Sequence, residues 1–297
     1  MSWWDDAVHR AAAEAVLVGA LAGLIGVQVV LRRLSFFTMA LTHATFPGVV
    51  AAAIIGVNIY LGGAVAGAVV AVGVAALSRS RGQNAAAATG VLLSGGFALG
   101  VGLVATQNGF SRDLSSFLVG SILTVSTQDL ATTGAVLVVV CVVLITGARP
   151  LLFAGFDPTG ARAAGLRTGA LDLLLLLSIE LGIVTVVPAV GTILALALID
   201  APAAAARLWS DRLPVITALA IAFGVVSGLL GLGVSSRWNV AAGASITLTA
   251  TAILLVSLLG SRLAAPRRAP AGGRPATQRA ATPLPRASTE PAVRAQA

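Results

Sequence analysis

Apolar residues dominate the chain in long runs, which alternate with short polar or charged segments. A bilayer core about 30 Å thick requires about 20 apolar residues for one helical crossing. Nine stretches fit this length, and together they predict an all-α polytopic membrane protein with about nine transmembrane helices (eight to ten). The stretches are 11–31, 36–57, 60–78, 85–106, 129–147, 170–187, 190–209, 213–234 and 240–260.

The arginines in the connections between these stretches indicate how the chain is oriented. Arg32 and Arg33 follow the first stretch, whereas the connections 57–61 and 187–190 contain no arginine. Connections rich and poor in arginine alternate along the whole chain, and basic connections favour the cytoplasmic side of a membrane. The alternation predicts an N-terminus outside the cell and a C-terminus inside, in a multi-pass protein of the cytoplasmic membrane.

Two connections are too long to be simple turns. Segment 107–128 is apolar and lies on the external side, so we expect a short helix that lies on the protein or dips into it. Segment 148–169 is internal, and Asp157 followed by Pro158 predicts a helix start, with an N-cap before proline at the first helical position. In contrast, the connection at 186–191 is very short, and we expect Pro188 and Gly191 to break the helix there.

Composition narrows the class of protein further. Only 10% of the residues are charged, against about 25% in a typical soluble domain, which excludes an ordinary soluble enzyme. All 19 basic residues are arginine, so the chain lacks the lysine that a Walker A motif places on nucleotide phosphates. Neither a convincing Ser-His-Asp arrangement nor paired carboxylates at helical spacing occur. We therefore expect a protein that is not an enzyme and binds no cofactor of its own.

The net charge of +8 comes mainly from the C-terminal tail. Residues 261–297 contain seven arginines, one glutamate and six of the twelve prolines. This composition predicts a disordered basic tail inside the cell, in weak contact with anionic membrane lipid. The tail has no aromatic residue on which a base could stack, so nucleic acid is not an expected partner. Residues 1–260 then form the membrane domain.

Ionisable residues inside a membrane cost about 2.5–3.5 kcal/mol each on insertion scales, so they are functional candidates. His43 follows Met39 by four residues, which places an imidazole and a thioether on one helix face. Both groups are plausible ligands of transition metals. The alternative is a histidine hydrogen-bonded between helices, with Met39 as ordinary packing.

Three carboxylates complete the intramembrane set. Asp200 lies two residues before Pro202, which favours an ion site, although pairing with an arginine near the inner end fits equally well. Glu180 is placed to pair with His43, to carry protons, or to stabilise packing while protonated. Glu14 lies near the outer end of its helix, where we expect it to snorkel.

Glycines recur at a spacing of four residues within the predicted helices. Such pairs allow transmembrane helices to approach closely and indicate a compact bundle. The pairs are Gly19/Gly23, Gly63/Gly67, Gly96/Gly100 and Gly224/Gly228.

Four groups of motifs resemble the permeases of metal-type ABC transporters, which handle zinc, manganese and iron(II). RRLSF at 32–36, MALTHA at 39–44 and PGV at 47–49 are similar to the family pattern RRLSF, GDALSHA, LPGV. LGV at 99–101 with 114–123 is similar to the ALGV and DLxxxLFGDIL motifs, and 156–166 to FDPExAxxxG. AVGTIL at 189–194 with PAAAA at 202–206 is similar to AVGxLL and IPAATA. The resemblance covers about 10–260 in the family's order.

The resemblance implies a permease subunit that moves a divalent transition metal ion by alternating access. It implies a second permease copy, identical or related, two cytoplasmic ATPases that use ATP, and an extracellular metal-binding protein. Segment 148–169 would be the coupling region that docks on the ATPase. The residues assigned to this docking are Phe156, Asp157, Pro158, Arg162 and Gly165.

One position departs from the family pattern. The family's metal-binding aspartate precedes the histidine by four residues, and Met39 stands there, while Thr42 replaces the family's serine. A Met39/His43 pair is softer and suits zinc, iron(II) or copper(I) better than manganese. We hypothesise that Asp200 restores a negative charge from another helix. The expected pathway residues are therefore His43, Met39, Thr42, Asp200 and Glu180.

Two alternatives to an ATP-driven importer stay open. One is a proton-coupled secondary metal transporter that uses Glu180 and Asp200 as proton relays. The other is a membrane scaffold that transports nothing. A secondary carrier needs no docking surface of the kind predicted at 148–169.

Overall fold

The computed structural model describes residues 7–77, 85–106, 120 and 122–264, and every regular element within them is helical. A short 3-10 turn spans Ile122–Thr124. The helices are α1 (Ala7–Arg32), α2 (Ser35–Ala44), α3 (Phe46–Ile55), α4 (Ile59–Leu77), α5 (Ala85–Ala105), α6 (Thr127–Thr146), α7 (Ala148–Phe156), α8 (Pro158–Ala163), α9 (Thr168–Val190), α10 (Thr192–Arg207), α11 (Leu213–Trp238) and α12 (Ala242–Ala264).

Each of the nine predicted apolar stretches overlaps a described helix, and the predicted all-helical, multi-pass membrane architecture is confirmed. The second stretch divides into α2 and α3, α7 and α8 lie outside the nine stretches, and the number of crossings stays a prediction. Six spans among the described residues are long and apolar enough to cross a membrane: α1, α2 with α3, α6, α9, α11 and α12. Shorter apolar helices cover Ile59–Val74 and Thr89–Ala105. The tail from residue 265 and most of segment 107–128 lie outside the described residues, so their predicted states stay predictions.

The structure differs from the sequence expectation at Pro188. Helix α9 continues through Pro188 and ends only at Gly191, which has φ 99° and ψ 154°. A proline inside a membrane helix is tolerated where neighbouring groups compensate for the lost backbone bond. Gly191 adopts a positive φ that side-chain-bearing residues rarely reach. The glycine therefore ends the helix, and the proline does not.

The helices form two groups joined by α9. Helix α1 packs against α10 and α11, and α12 covers the outer side of this group. The second group contains α2, α3, α4 and α5, and α9 contacts both groups. The main core is built from α1, α9 and α10, with Leu21, Ile25, Ile179, Ile183 and Leu198 fully buried.

Several close helix contacts involve the paired glycines, as their spacing predicts. A Cβ on Gly19 would lie 2.4 Å from the carbonyl oxygen of Gly224 on α11, and one on Gly23 would lie 2.4 Å from that of Ala220. A Cβ on Gly100 would lie 2.3 Å from the ring of Phe46. These separations leave no room for a methyl group, so glycine allows the backbones to meet.

Glu14 does not snorkel to the membrane surface. Its side chain is buried, at 2% exposure, and its Oε1 accepts a hydrogen bond of 2.7 Å from the hydroxyl of Thr133 on α6. The glutamate side chain is short and lies on a helix that other helices surround, so its carboxyl group does not reach the lipid headgroups. The hydroxyl of Thr133 is the partner of Oε1, while Oε2 is buried without a hydrogen-bond partner.

Thr133→Val should lower the free energy of unfolding by about 1–3 kcal/mol, because it leaves a buried carboxyl oxygen of Glu14 without its donor. Thermal unfolding of the detergent-solubilised chain measures this loss. Thr132→Val is the matched control, since Thr132 is partly exposed and donates only to the Gln128 carbonyl of its own helix. Equal losses in the two variants would contradict the buried pairing.

Candidate functional site

The candidate metal site lies at a break between α2 and α3. His43 is in the last turn of α2, Thr45 separates the two helices, and Pro47 is in the first turn of α3. In a continuous helix, residue 47 would donate its N–H to the carbonyl of His43, and proline has no N–H. The local sequence therefore interrupts the membrane span directly after the histidine.

One face of α2 points away from the rest of the chain. Phe36 and Met39 on this face are 48% and 37% exposed, and His43 is partly buried. The three residues are three and four positions apart, so they share a face. The His43 ring meets the ring of Phe97 on α5 edge-on, with centroids 5.9 Å apart. The imidazole and the thioether are therefore presented at the surface of a single chain.

Thr42 is adjacent to this face along α2, but its side chain is buried and is not part of the exposed surface. It is 1% exposed, and its hydroxyl donates to the carbonyl of Met39 at 2.8 Å. The hydroxyl is thus occupied by the backbone of its own helix. Thr42 packs α2 into the bundle, whereas His43 and Met39 face outward.

Asp200 on α10 contacts the opposite end of α2 from His43. Its carboxylate accepts a hydrogen bond from the hydroxyl of Ser35, while Oδ1 is buried with no hydrogen-bond partner. Ser35 precedes His43 by eight residues, which corresponds to about 12 Å along a helix axis. The structure therefore brings Asp200 to Ser35 and not to the His43/Met39 face.

Glu180 is enclosed between α9 and α4. It is 2% exposed, and neither carboxyl oxygen has a hydrogen-bond partner. A Cβ on Gly67 would overlap its carboxyl group, so the missing side chain of Gly67 makes the space for Glu180. The structure shows no hydrogen bond between Glu180 and His43, which the sequence offered as one possibility.

These ionisable groups do not converge within one chain. Across the described ranges, no group of three or more His, Cys, Asp or Glu side chains is placed to hold a metal ion. His43 and Met39 alone give two ligand atoms, fewer than a transition-metal site requires. Further ligands would have to come from outside the described part of the chain.

The segment predicted to couple to an ATPase forms two short helices outside the membrane spans. As predicted, Asp157 caps α8, accepting a hydrogen bond of 2.8 Å from the N–H of Gly160, and Pro158 opens the helix. Phe156, at the corner between α7 and α8, is 81% exposed. Gly165, at φ 82°, turns the chain toward α9. The segment thus presents a large aromatic side chain on a fixed corner.

Two side-chain contacts that the sequence did not predict lie at opposite ends of the bundle. Arg32 at the end of α1 donates to Asp172 of α9 at 2.8 Å and to the carbonyl of Leu151 in α7. At the other end of the bundle, Tyr60 donates to Asp129 at 2.9 Å. The arginine pattern suggested only orientation for Arg32, because its partners lie more than 100 residues away.

Comparison with known proteins identifies the family. The family model described as "ABC 3 transport family" matches residues 5–261, nearly the whole membrane domain. The chain belongs to the ABC 3 transport family. The resemblance to metal-type ABC permeases found in the motifs is confirmed by this match and by the relatives.

Several members of the ABC 3 transport family are similar over most of their length. The manganese transport system membrane protein MntC of Halalkalibacterium halodurans is 35% identical, over 86% of this chain and 87% of that protein. The manganese import system permease protein ScaB of Streptococcus parasanguinis is 34% identical, over 84% and 89%. The solved structure of PsaBC from Streptococcus pneumoniae in complex with Fab matches with a TM-score of 0.77 and 33% identity, over 84% and 90%.

These ABC 3 relatives are named as membrane and permease proteins, which agrees with a transport subunit and not with an ATPase. The agreement extends to the fold, because the solved relative covers nearly all the described helices. The chain is therefore a multi-pass membrane subunit of an ABC transporter.

Proposed function

We propose that this chain is the permease of an ATP-driven importer that carries a divalent transition metal ion across the cytoplasmic membrane by alternating access. The observation that carries the proposal is the corner at Phe156, an aromatic side chain that is 81% exposed between two short helices, the second of which is capped by Asp157. Exposed aromatic residues on a fixed scaffold are typical anchors of protein interfaces. A secondary carrier needs no such surface.

The partner at this corner would be an ATP-binding cassette ATPase, on which Phe156, Asp157, Pro158, Arg162 and Gly165 dock. ATP would be bound and hydrolysed there, since this chain has no lysine for a phosphate-binding motif. No cofactor would be held by the permease itself. An extracellular metal-binding protein would deliver the ion at the opposite side.

The proposed topology has nine crossings, with the N-terminus outside and the C-terminus inside. It combines the six long spans with α4, α5 and α10. The arginine-rich connections then lie in the cytoplasm, on the same side as α7 and α8. The coupling segment and the distribution of arginines therefore both indicate that this side is cytoplasmic.

A second permease copy would cover the outward face of α2. His43 and Met39 together with the same pair from the second copy would give four ligand atoms, which is the usual number for a tetrahedral site. This arrangement explains why a functional histidine is presented at the surface of one chain. Thr42 would support the face from inside, through its bond to the Met39 carbonyl.

The cargo would be softer than manganese. Imidazole and thioether select zinc, iron(II) or copper(I) over manganese, for which carboxylates are preferred. The similar MntC and ScaB proteins are named for manganese, so the replacement of the family aspartate by Met39 would shift the selectivity. Asp200 and Glu180 would line the pathway farther along, because each has at least one buried carboxyl oxygen without a hydrogen-bond partner that an ion could meet in transit.

The coupling surface can be tested by purifying the tagged chain from native membranes. We expect stoichiometric recovery of an ATPase, and we expect Phe156→Asp to reduce that recovery by at least about tenfold, as loss of an interface anchor does. Leu263→Asp is the control, because Leu263 is 87% exposed but lies outside the coupling segment.

Undiminished recovery with Phe156→Asp would contradict the docking surface. Metal uptake driven by a proton gradient without ATP would favour the secondary carrier, for which the unpartnered oxygens of Glu180 and Asp200 are the supporting observation. Unchanged whole-cell metal content in a deletion strain would favour the scaffold.

A further inference from the structure

A cavity of about 860 Å³ lies at the end of the bundle where α1 meets α2 and where α7, α8 and α9 begin or end. Its polar side is formed by Arg32, Arg33, Arg162 and Asp172, and its apolar side includes Phe37 and Leu176. The metal-site face of α2 does not contribute, since neither Met39 nor His43 lines this space. The cavity is therefore separate from the proposed metal site.

The charges around the cavity leave an excess of positive charge. Arg32 is neutralised by Asp172, with N and O atoms 2.8 Å apart. Arg33 makes no hydrogen bond or ion pair with any residue that the structure describes, and Arg162 uses only Nε, on the carbonyl of Pro158. Two guanidinium groups from different helices thus line one cavity without a described anionic partner.

Two backbone features add to this preference for an anion. Arg33 has φ 56°, a conformation that non-glycine residues rarely adopt, and it places the residue at the sharp corner between α1 and α2. Gly169 in the first turn of α9 also lines the cavity. The first turn of a long helix carries partial positive charge, which favours a negative group nearby.

The apolar wall decides which anion fits. Phe37, Val74 and Leu176 line the same cavity as the arginines. Val74 belongs to α4, a helix on which Val69 and Val72 are 67% and 51% exposed. Such exposure is typical of apolar residues that face lipid. A free phosphate would fill only the basic side of this space, whereas a phospholipid carries both a phosphate and acyl chains.

We infer that this cavity binds an anionic phospholipid, with its phosphate between Arg33 and Arg162. Guanidinium groups bind phosphate oxygens in pairs of parallel hydrogen bonds, and basic pockets between membrane helices on the cytoplasmic side accept such headgroups. The lipid would connect the α1–α2 corner to α8, and so hold the coupling segment against the bundle. The inference goes beyond the proposed function, and its test requires no metal transport.

Native mass spectrometry of the full-length chain, titrated with phosphatidylglycerol or with phosphatidylcholine of the same acyl chains, tests the site. We expect phosphatidylglycerol to bind at least about fivefold more tightly, with about a fivefold loss for Arg33→Gln or Arg162→Gln and the combined loss in the double variant. Arg149→Gln is the matched control, because Arg149 is exposed on α7 and does not line the cavity. It should bind like the native chain.

A competition with inorganic phosphate tests whether the site binds the phosphate of a lipid headgroup or free phosphate. We expect phosphate at the same concentration to leave the lipid bound, and its displacement of the lipid would overturn the lipid assignment. Equal binding of both lipids, or an equal loss with Arg149→Gln, would overturn the site. If the double variant does not purify as a monodisperse species, each single variant and the charge-preserving Arg33→Lys, expected to retain binding, decide the question.

Discussion

His43→Ala should reduce uptake of the transported metal by at least about tenfold. Loss of a supporting group around a metal ligand already costs 10–100-fold in affinity, and a ligand itself contributes more. The imidazole lies on the exposed face of α2, partly buried and edge-on to the Phe97 ring, so alanine removes the ligand without opening a deep cavity. Uptake of radioactive zinc, iron(II) and manganese into intact cells measures the effect.

Phe36→Leu is the matched control for this substitution. Phe36 shares the exposed face but carries no ligand atom, and uptake should stay within about twofold of the native level, as expected for a volume-conserving exchange. ATPase recovery with His43→Ala should equal that of the native chain, which shows an assembled transporter. Undiminished uptake in such an assembled His43→Ala variant would remove this residue from the pathway.

The companion variant Met39→Asp tests selectivity at the same face. A carboxylate in place of the thioether should raise manganese uptake relative to zinc, because hard oxygen ligands suit manganese. Met39 is partly exposed on the surface of α2, so the new charge is not buried within one chain. An unchanged ratio of the two metals would mean that Met39 does not contact the ion.

The largest effect on stability is expected for Gly224→Ala. A Cβ at this position would lie 2.1 Å from the carbonyl oxygen of Gly19, so α1 and α11 must separate. Overpacking of this kind costs about 1–3 kcal/mol, and contact with backbone places it at the upper end. A loss of about 3 kcal/mol corresponds to a fall in melting temperature of roughly 6–12 °C in a chain of this size.

Gly233→Ala on the same helix provides the control. A Cβ on Gly233 meets nothing within 4 Å, and alanine has the higher helix propensity. The melting temperature of this variant should equal or exceed that of the native chain. Equal melting temperatures for the two alanine variants would contradict the close contact between α1 and α11.

The features that could be predicted from the sequence are those that depend on neighbouring residues. The positions of the membrane helices could be predicted from the apolar stretches, because the thickness of a bilayer determines how long such a helix must be. The cap at Asp157 and Pro158 was predicted because both parts of the signal lie within four residues. The glycine pairs were predicted as close contacts, but the sequence alone did not show that Gly19 meets Gly224.

The features that were missed depend on distant partners. Glu14 was expected at the membrane surface, and its partner Thr133 is on another helix. The hydrogen bond between Ser35 and Asp200 joins α2 to α10. The spacing of these residues in the sequence did not indicate this contact. Pro188 was expected to end α9, and tertiary packing overrode this local preference. His43 and Met39 could thus be named as candidate ligands from their residue types and spacing, whereas only the structure shows that they face outward.

The pairing of α1 with α11 has a consequence for biosynthesis. Helix α1 is inserted first, yet the residues that cover its glycine face, Ala220 and Gly224, are synthesised near the end of the membrane domain. Until then, the glycine face of α1 is uncovered, because contacts between distant segments form late. A chain released before α11 would therefore leave this face of its membrane domain without the helix that closes it.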